Sequence, residues 1–214
     1  MKLILATRNQ GKVRELTNML CGSRDRSCAY PIEVISLESY PDAPEVIEDG
    51  QTYTENAVKK ASIIAEYTSH LTLADDAGLE VDALGGAPGI NSKRWAGEDA
   101  TDETRIAKLL QALDGVANRR ARFIAAIALV HPRRSRDNDH RDGVPSPNPK
   151  PEVVLGICEG HIRHDPVGES GFGYDPVFVP DGYNQTFAEL GEEIKNRMSH
   201  RAKALEQAIA LLNY

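Results

Sequence analysis

Hydrophobic and polar positions along this chain change period repeatedly. Lys2–Ala6 (KLILA), Glu33–Leu37 and Leu71–Ala74 are short apolar runs that read as buried strands. Ala121–His131 (ARFIAAIALVH) is apolar almost throughout, as a central strand is, and Glu152–His164 is its return partner in a long hairpin. Val177–Val179 is a last short strand. Between these runs, apolar residues recur at helical spacing. The sets are Val13, Leu16, Met19 and Leu20; Ala57, Ala61, Ile64 and Ala65; Ile106, Leu109, Leu110 and Leu113; and Leu205, Ala208, Ile209 and Leu212. A shorter helix begins near Ala188 and carries Lys195. Thr52-Tyr53-Thr54-Glu55 fits the capping box that opens a helix; Thr101 opens another, and Ser199 is an N-cap for the last. Strands alternating with helices predict an α/β fold.

Three segments break the pattern. Residues 22–31 (GSRDRSCAYP) are a polar loop. Residues 41–50 are rich in Pro and acid, hold Glu45, Glu48 and Asp49, and cannot be regular. Residues 133–151 are nearly all charged or Pro, and read as a flexible tip inserted into the hairpin. With no repeat and no interdomain linker, residues 1–214 are expected to form a single domain.

Composition narrows the function class. A formal net charge of −7 argues against nucleic acid as the main partner, because neutralising phosphates needs a surplus of Lys and Arg. It leaves room for a nucleotide in a basic pocket. Cys21, Cys28 and Cys158 lack metal-ligand spacing and are expected to be ordinary thiols in a reducing compartment, although Cys21 and Cys28 could bridge if oxidised. The N-terminus enters a strand-like run at once, without a leader pattern. No apolar run reaches the ~18 residues of a membrane helix. The expectation is a cytoplasmic protein.

The candidate chemistry centres on residues 73–97 (LADDAGLEVDALGGAPGINSKRWAG). Asp75 and Asp76 directly follow an apolar strand, where ligand crevices form in α/β sheets. Neighbouring carboxylates repel unless a cation or proton lies between them, and Mg²⁺ prefers such oxygens together with water and phosphate. At the N-terminus, strand, polar turn and helix make the geometry of an anion site, with Thr7 and Asn9 as hydrogen-bonding groups. Lys12 lies in the first helical turn, where the helix dipole disfavours a cation, so an anionic ligand is expected to offset it. The turn is not a Walker loop. Lys59 and Lys60, taken alone, read as surface lysines. In the loop at 168–176, Phe172 and Tyr174 among glycines can stack on a planar ring, with Asp175 accepting hydrogen bonds.

Taken in order, ATRNQGK (6–12), ENAVKKA (55–61), ADDAGLEVDALGGAPG (74–89), FGYDP (172–176) and SHR (199–201) resemble the inosine triphosphate pyrophosphatase family, the XTP/dITP diphosphatases. The motifs span nearly the whole chain. The resemblance implies an elongated mixed β-sheet with flanking helices, two lobes around a central cleft, and a homodimer. It implies Mg²⁺-dependent cleavage of ITP, dITP and XTP between the α- and β-phosphates, giving monophosphate and pyrophosphate and cleansing the nucleotide pool. By position, Thr7, Arg8, Asn9 and Lys12 would cradle phosphate, with Lys60 as a second cation. Glu48 and Asp76 would hold the metal, with Asp76 the general base and Asp75 supporting them. Phe172 would stack on the purine within a loop that includes Gly173 and Tyr174, and Asp175 would contact the base. Lys195 would face phosphate or base, and His200 and Arg201 would read the base. Arg201 can only donate hydrogen bonds. It would favour a 6-oxo acceptor, and a buried donor left facing adenine's amino group costs roughly 1–3 kcal/mol.

Ala77 departs from the family pattern, which has Ser after the Asp pair. A phosphate donor is thereby lost, although a backbone N–H can serve at the same place. That departure keeps a second reading open, a weakened nucleotide-binding or sensing protein. A monophosphatase of another fold would want Asp-x-Asp after the first strand, and Ala6-Thr7-Arg8 offers no carboxylate there.

Overall fold

A computed structural model describes residues 1–21, 32–132 and 150–212. Its centre is a six-stranded mixed sheet in the order β2-β1-β3-β4-β5-β6. The strands are β1 (Lys2–Leu5), β2 (Glu33–Ser36), β3 (Leu71–Val81), β4 (Arg120–Val130), β5 (Glu152–Ile162) and β6 (Phe178–Pro180). β1 lies parallel to both β2 and β3, whereas β3, β4, β5 and β6 run antiparallel in sequence. Five helices flank the sheet: α1 (Gln10–Cys21), α2 (Tyr53–Thr68), α3 (Asp102–Ala112), α4 (Phe187–Met198) and α5 (His200–Leu212).

Strand alternation sorts the core. Leu3, Leu5, Leu71, Leu73 and Ile127 face one side and pack with Leu16 of α1 and Leu205 of α5. Ile4, Ala74, Ala126 and Ala128 face the other and pack with Ala57, Ala61 and Ile64 of α2. A third cluster closes the far ends of β3, β4 and β5 against α3, β6 and α4, through Leu79, Phe123, Leu109 and Phe178. The first two clusters form one lobe and the third forms the other, with β3 and β4 running through both.

The helix starts follow their sequence signals with one change. Thr52, Thr101 and Ser199 accept from Glu55, Thr104 and Ala202 N–H. The Glu55 carboxylate, however, reaches Gln51 N–H instead of closing the box on Thr52. The larger correction concerns β3. It was expected to stop at Ala74, but it continues through Asp75 and Asp76 to Val81, because β4 pairs with it from Thr72↔Val130 to Val81↔Ala121. The expected loop at 22–31, and residues 133–149 of the tip expected at 133–151, lie outside the described residues. Cys21 is disulfide-bonded, not the ordinary thiol expected; Cys158 is a free, buried thiol, and Cys28 lies outside the described residues. Among the described residues, no helix is long and apolar enough to cross a membrane.

β5 approaches α5 closely because Gly156 has no side chain. A Cβ there would lie 2.0 Å from His200 O and 2.5 Å from Ala204 N. Gly156→Ala is therefore expected to destabilise the fold by roughly 1–3 kcal/mol through overpacking, read as a lowered urea midpoint. An unchanged midpoint would show that α5 is free to shift.

Candidate active site

The site forms where β1 ends and β3 does not. β1 pairs with β3 only from Leu3↔Leu71 to Leu5↔Leu73, and Ala6 N–H closes the ladder on Leu73 O. The next carbonyl on that edge, Asp75 O, has no strand to pair with. Lys12 Nζ from α1 and Lys60 Nζ from α2 donate to it instead, at 3.2 and 3.1 Å. Two ammonium groups from opposite sides of the sheet are thus brought to one backbone atom. Lys60 is buried, not the surface lysine its local pattern suggested.

Period-2 alternation sends the two adjacent aspartates to opposite faces. Asp76 faces α2, where Asn56 Nδ2 donates to Oδ2 at 3.1 Å and Ala77 N–H donates to Oδ1 at 3.1 Å. Burial raises the Asp76 carboxyl above its usual range against the pull of Lys12 and Lys60, and Glu48 raises it further. Glu48 lies in the 41–50 segment and takes Lys60 Nζ at 2.5 Å. Burial works to raise Glu48 too, but Lys60, Lys12 and Lys93 together hold it below the ordinary value. Lys93 was given no role by sequence, yet its charge reaches this carboxylate.

Asp75 faces α1 and α5, on the opposite side of β3 from Asp76. Its carboxylate is 1% exposed and already holds two cations. Lys12 Nζ lies 2.7 Å from Oδ2, while Arg201 donates through Nε at 3.3 Å and Nη2 at 3.2 Å. Burial alone would raise its carboxyl; Arg201 and Lys12 outweigh that and hold it far below the usual range. The same contact supplies the anion that the N-terminal position of Lys12 demanded.

The chain of charge continues. Arg201 Nη1 donates to Glu15 Oε2 at 2.5 Å, Lys195 Nζ lies 2.6 Å from Glu15 Oε1, and Lys195 Nζ lies 2.5 Å from Asp175 Oδ2. Glu15 is only 4% exposed and was missed by the sequence reading. Its signal is spacing, since Glu15 sits three residues after Lys12 on the turn that carries Leu16 inward. The Oδ2 of Asp175 also accepts from Phe172 N–H at 2.9 Å and so ties the loop together.

The remaining predicted residues divide. Asn9 caps α1 by accepting from Gly11 and Lys12 N–H, and Thr7 accepts from Asn9 N–H. Arg8 is drawn away from the phosphate turn, donating to Ala43 O and Pro41 O. Gly173 N–H donates to Asp102, and Tyr174 OH donates to Ser92 O at 2.9 Å, so both anchor the loop instead of facing the cleft. The Phe172 ring has Lys195 Nζ at 4.7 Å and Arg201 Cζ at 5.8 Å, and lies against Gly11, where a Cβ would meet it at 2.6 Å. His200 is buried and stacks on Phe123 with centroids 4.7 Å apart, and its Nδ1 has no partner among the described residues. The Ala77 N–H, offered by sequence as a substitute donor, is already spent on Asp76.

The donor set suits a hard divalent cation. No group of three or more His, Cys, Asp or Glu that could hold a metal occurs among the described residues. Asp76 and Glu48 are nonetheless close enough for Glu48 to raise the Asp76 carboxyl. One or two carboxylates, with water and phosphate oxygens filling the rest, is the usual Mg²⁺ arrangement.

Comparison with known proteins agrees over the whole length. The Ham1 family profile matches residues 3–211. A dITP/XTP pyrophosphatase from Desulforamulus reducens is 47% identical over 215 residues, covering 100% of this chain and 96% of that protein. One from Geobacillus kaustophilus is 45% identical over 206 residues, covering 95% and 90%. Among solved structures, a HAM1 protein from Coxiella burnetii superposes with a TM-score of 0.81 at 38% identity, covering 100% of this chain and 98% of its own. A nucleoside-triphosphatase/dITP/XTP pyrophosphatase from Mycobacterium abscessus gives 0.71 at 37%, covering 97% and 98%.

The buried network makes a stability prediction. The carboxyls of Asp75 and Glu15 are both lowered in the fold. Their contribution is therefore complete above the unfolded carboxylate range near pH ~4, and is lost as pH falls below it toward their folded values. Asp75→Asn is expected to cost about 3–5 kcal/mol at neutral pH, because Lys12 and Arg201 each lose a buried charged partner. It should also flatten the acid decline of the urea midpoint. An acid decline as steep as in the unaltered chain would assign that pH dependence to other carboxylates.

Proposed function

The chain belongs to the Ham1 family, and from that premise we propose that it hydrolyses ITP, dITP and XTP to the monophosphate and pyrophosphate. The observation that carries the reading is the convergence of Lys12 and Lys60 on Asp75 O beside the Asp76 carboxylate. Two cations at one point suit a polyphosphate whose charge grows as the bond breaks. Asp76 is the only one of the adjacent pair with a carboxylate free of salt bridges, and its burial-raised basicity suits it to take a proton from water.

Each residue then has a task. Lys12 and Lys60 hold the phosphates, and the Asn9-capped turn presents the N-terminus of α1 to them. Asn56 fixes the Asp76 carboxylate so that its remaining lone pairs face the attacking water. Asp76 and Glu48 would hold Mg²⁺, which when bound supplies charge neutralisation and a more acidic water. Phe172 stacks on the purine, with Lys195 and Arg201 behind it. Arg201 spends three N–H groups on Asp75 and Glu15 and keeps two of its five. A guanidinium clamped in this way offers donors in a fixed direction, which favours a 6-oxo purine over adenine. The unpartnered Nδ1 of His200 is a further buried polar atom for the base. A homodimer and a role in clearing the nucleotide pool belong to the same proposal and rest on the family resemblance; a cytoplasmic setting belongs to it too and rests on the sequence pattern alone.

The test is product analysis with Mg²⁺ and ITP, XTP, dITP, GTP and ATP at equal concentration. Pyrophosphate should be released fast from the first three and slowly from GTP and ATP. Orthophosphate would overturn the reading, and ITP binding without turnover would favour the weakened, sensing form. Asp76→Asn keeps the shape of the side chain and removes its basicity. It should abolish turnover while leaving the thermal midpoint within a few degrees; hydrolysis near the unaltered rate would take the base role from Asp76.

A further inference from the structure

At the end of the sheet remote from Asp76, where β4 begins and β5 finishes, lies a cleft of about 640 Å³. Asp76 pairs with Ala126 on β4, so Arg120 is six residues further along, about 20 Å at ~3.4 Å per residue. The cleft is lined by Arg119, Arg120, Arg163, His161, His164 and Asp165, among others. Such a concentration of basic side chains is out of keeping with a chain whose net charge is −7.

Arg119 sets this cleft apart. Its Nε donates to Ile162 O at 2.8 Å, Nη1 to Leu113 O at 2.9 Å and Nη2 to Arg163 O at 2.7 Å. All three partners are neutral carbonyls, so the guanidinium is fixed in place while, among the described residues, it makes no ion pair with a carboxylate. Two of its five N–H groups remain. The neighbours contrast with it: Arg120 pairs with Asp181 at 2.7 and 3.1 Å, and Arg163 with Glu189 at 3.7 Å. Burial disfavours an uncompensated cation, and it lowers the Arg119 pKa. Joining three backbone segments needs hydrogen bonds but no such charge.

We propose that this cleft is a second anion site, which seats the phosphate of a small phosphorylated molecule against Arg119 with Arg163 and the two histidines at its rim. Guanidinium forks match phosphate oxygens in geometry as well as charge. A cleft of this volume falls in the range of about 300–1,000 Å³ typical of small-molecule sites and exceeds what a bare phosphate fills. The proposal rests on the cleft's own residues and not on the reading of the reaction.

The full chain titrated with inorganic pyrophosphate, followed by NMR of Arg119 Nε–H and of the His161 and His164 rings, reads the cleft separately from Lys12 and Lys60. Saturable shifts are expected, weakened about tenfold in Arg163→Gln, equal to ~1.4 kcal/mol. That variant keeps the backbone carbonyl on which Arg119 rests, so its turnover and thermal midpoint should be unchanged. Repeating the titration with inosine monophosphate separates a phosphate ester from a free polyphosphate as the preferred ligand, and saturation by either supports the site. Shifts that follow ionic strength alone, matched by sodium chloride, would overturn it. So would a silent cleft while the Lys12 and Lys60 signals respond.

Discussion

The structure depends on the placement of Asp75, a carboxylate buried in the middle of the sheet and held by Lys12 and Arg201. A charge so buried is tolerated only when it is paired and hydrogen-bonded. The pairing therefore dictates where α1 and α5 must lie. From Arg201 the same logic runs through Glu15 and Lys195 to Asp175, so that the loop carrying Phe172 is tied, by alternating charge, to the strand carrying Asp76. The proposed base pocket and phosphate site are in this way parts of one electrostatic unit. Loss of any inner member removes one charged partner from each of its neighbours.

The strand geometry divides labour between two chemically identical residues. Asp75 and Asp76 are neighbours in sequence but face opposite sides of β3, and their surroundings drive their acidities apart. Asp75 is an anchor that stays ionised. Asp76 meets Asn56, a backbone N–H and the field of Glu48, and remains available to a proton. The early end of β1 completes the arrangement, since it frees the one carbonyl on which both lysines settle.

Much of the fold was legible because periodicity reports burial directly. The α/β class, the long β4–β5 hairpin and the caps at Thr52, Thr101 and Ser199 follow from local patterns that tertiary packing did not override. What misled was the Asp pair. Read as a strand end with two repelling carboxylates, it suggested one shared site; the strand continues, and alternation separates the two side chains. Glu15 stayed hidden because a carboxylate beside an apolar stripe reads as a solvated rim, and only its distant partners Lys195 and Arg201 make burial affordable. Arg8, Gly173 and Tyr174 belong to matching motifs, yet Arg8 and Tyr174 donate to backbone carbonyls and Gly173 to the Asp102 carboxylate of α3, which motif position alone does not reveal.

The central proposal is that Asp76 activates water for attack on the α-phosphorus while Lys12 and Lys60 hold the phosphates. Hydrolysis of dITP in water labelled with heavy oxygen, followed by mass spectrometry of both products, tests it most directly. The account predicts the label in the nucleoside monophosphate and none in the pyrophosphate. Label in the pyrophosphate would mean attack at the β-phosphorus, and would contradict that proposal.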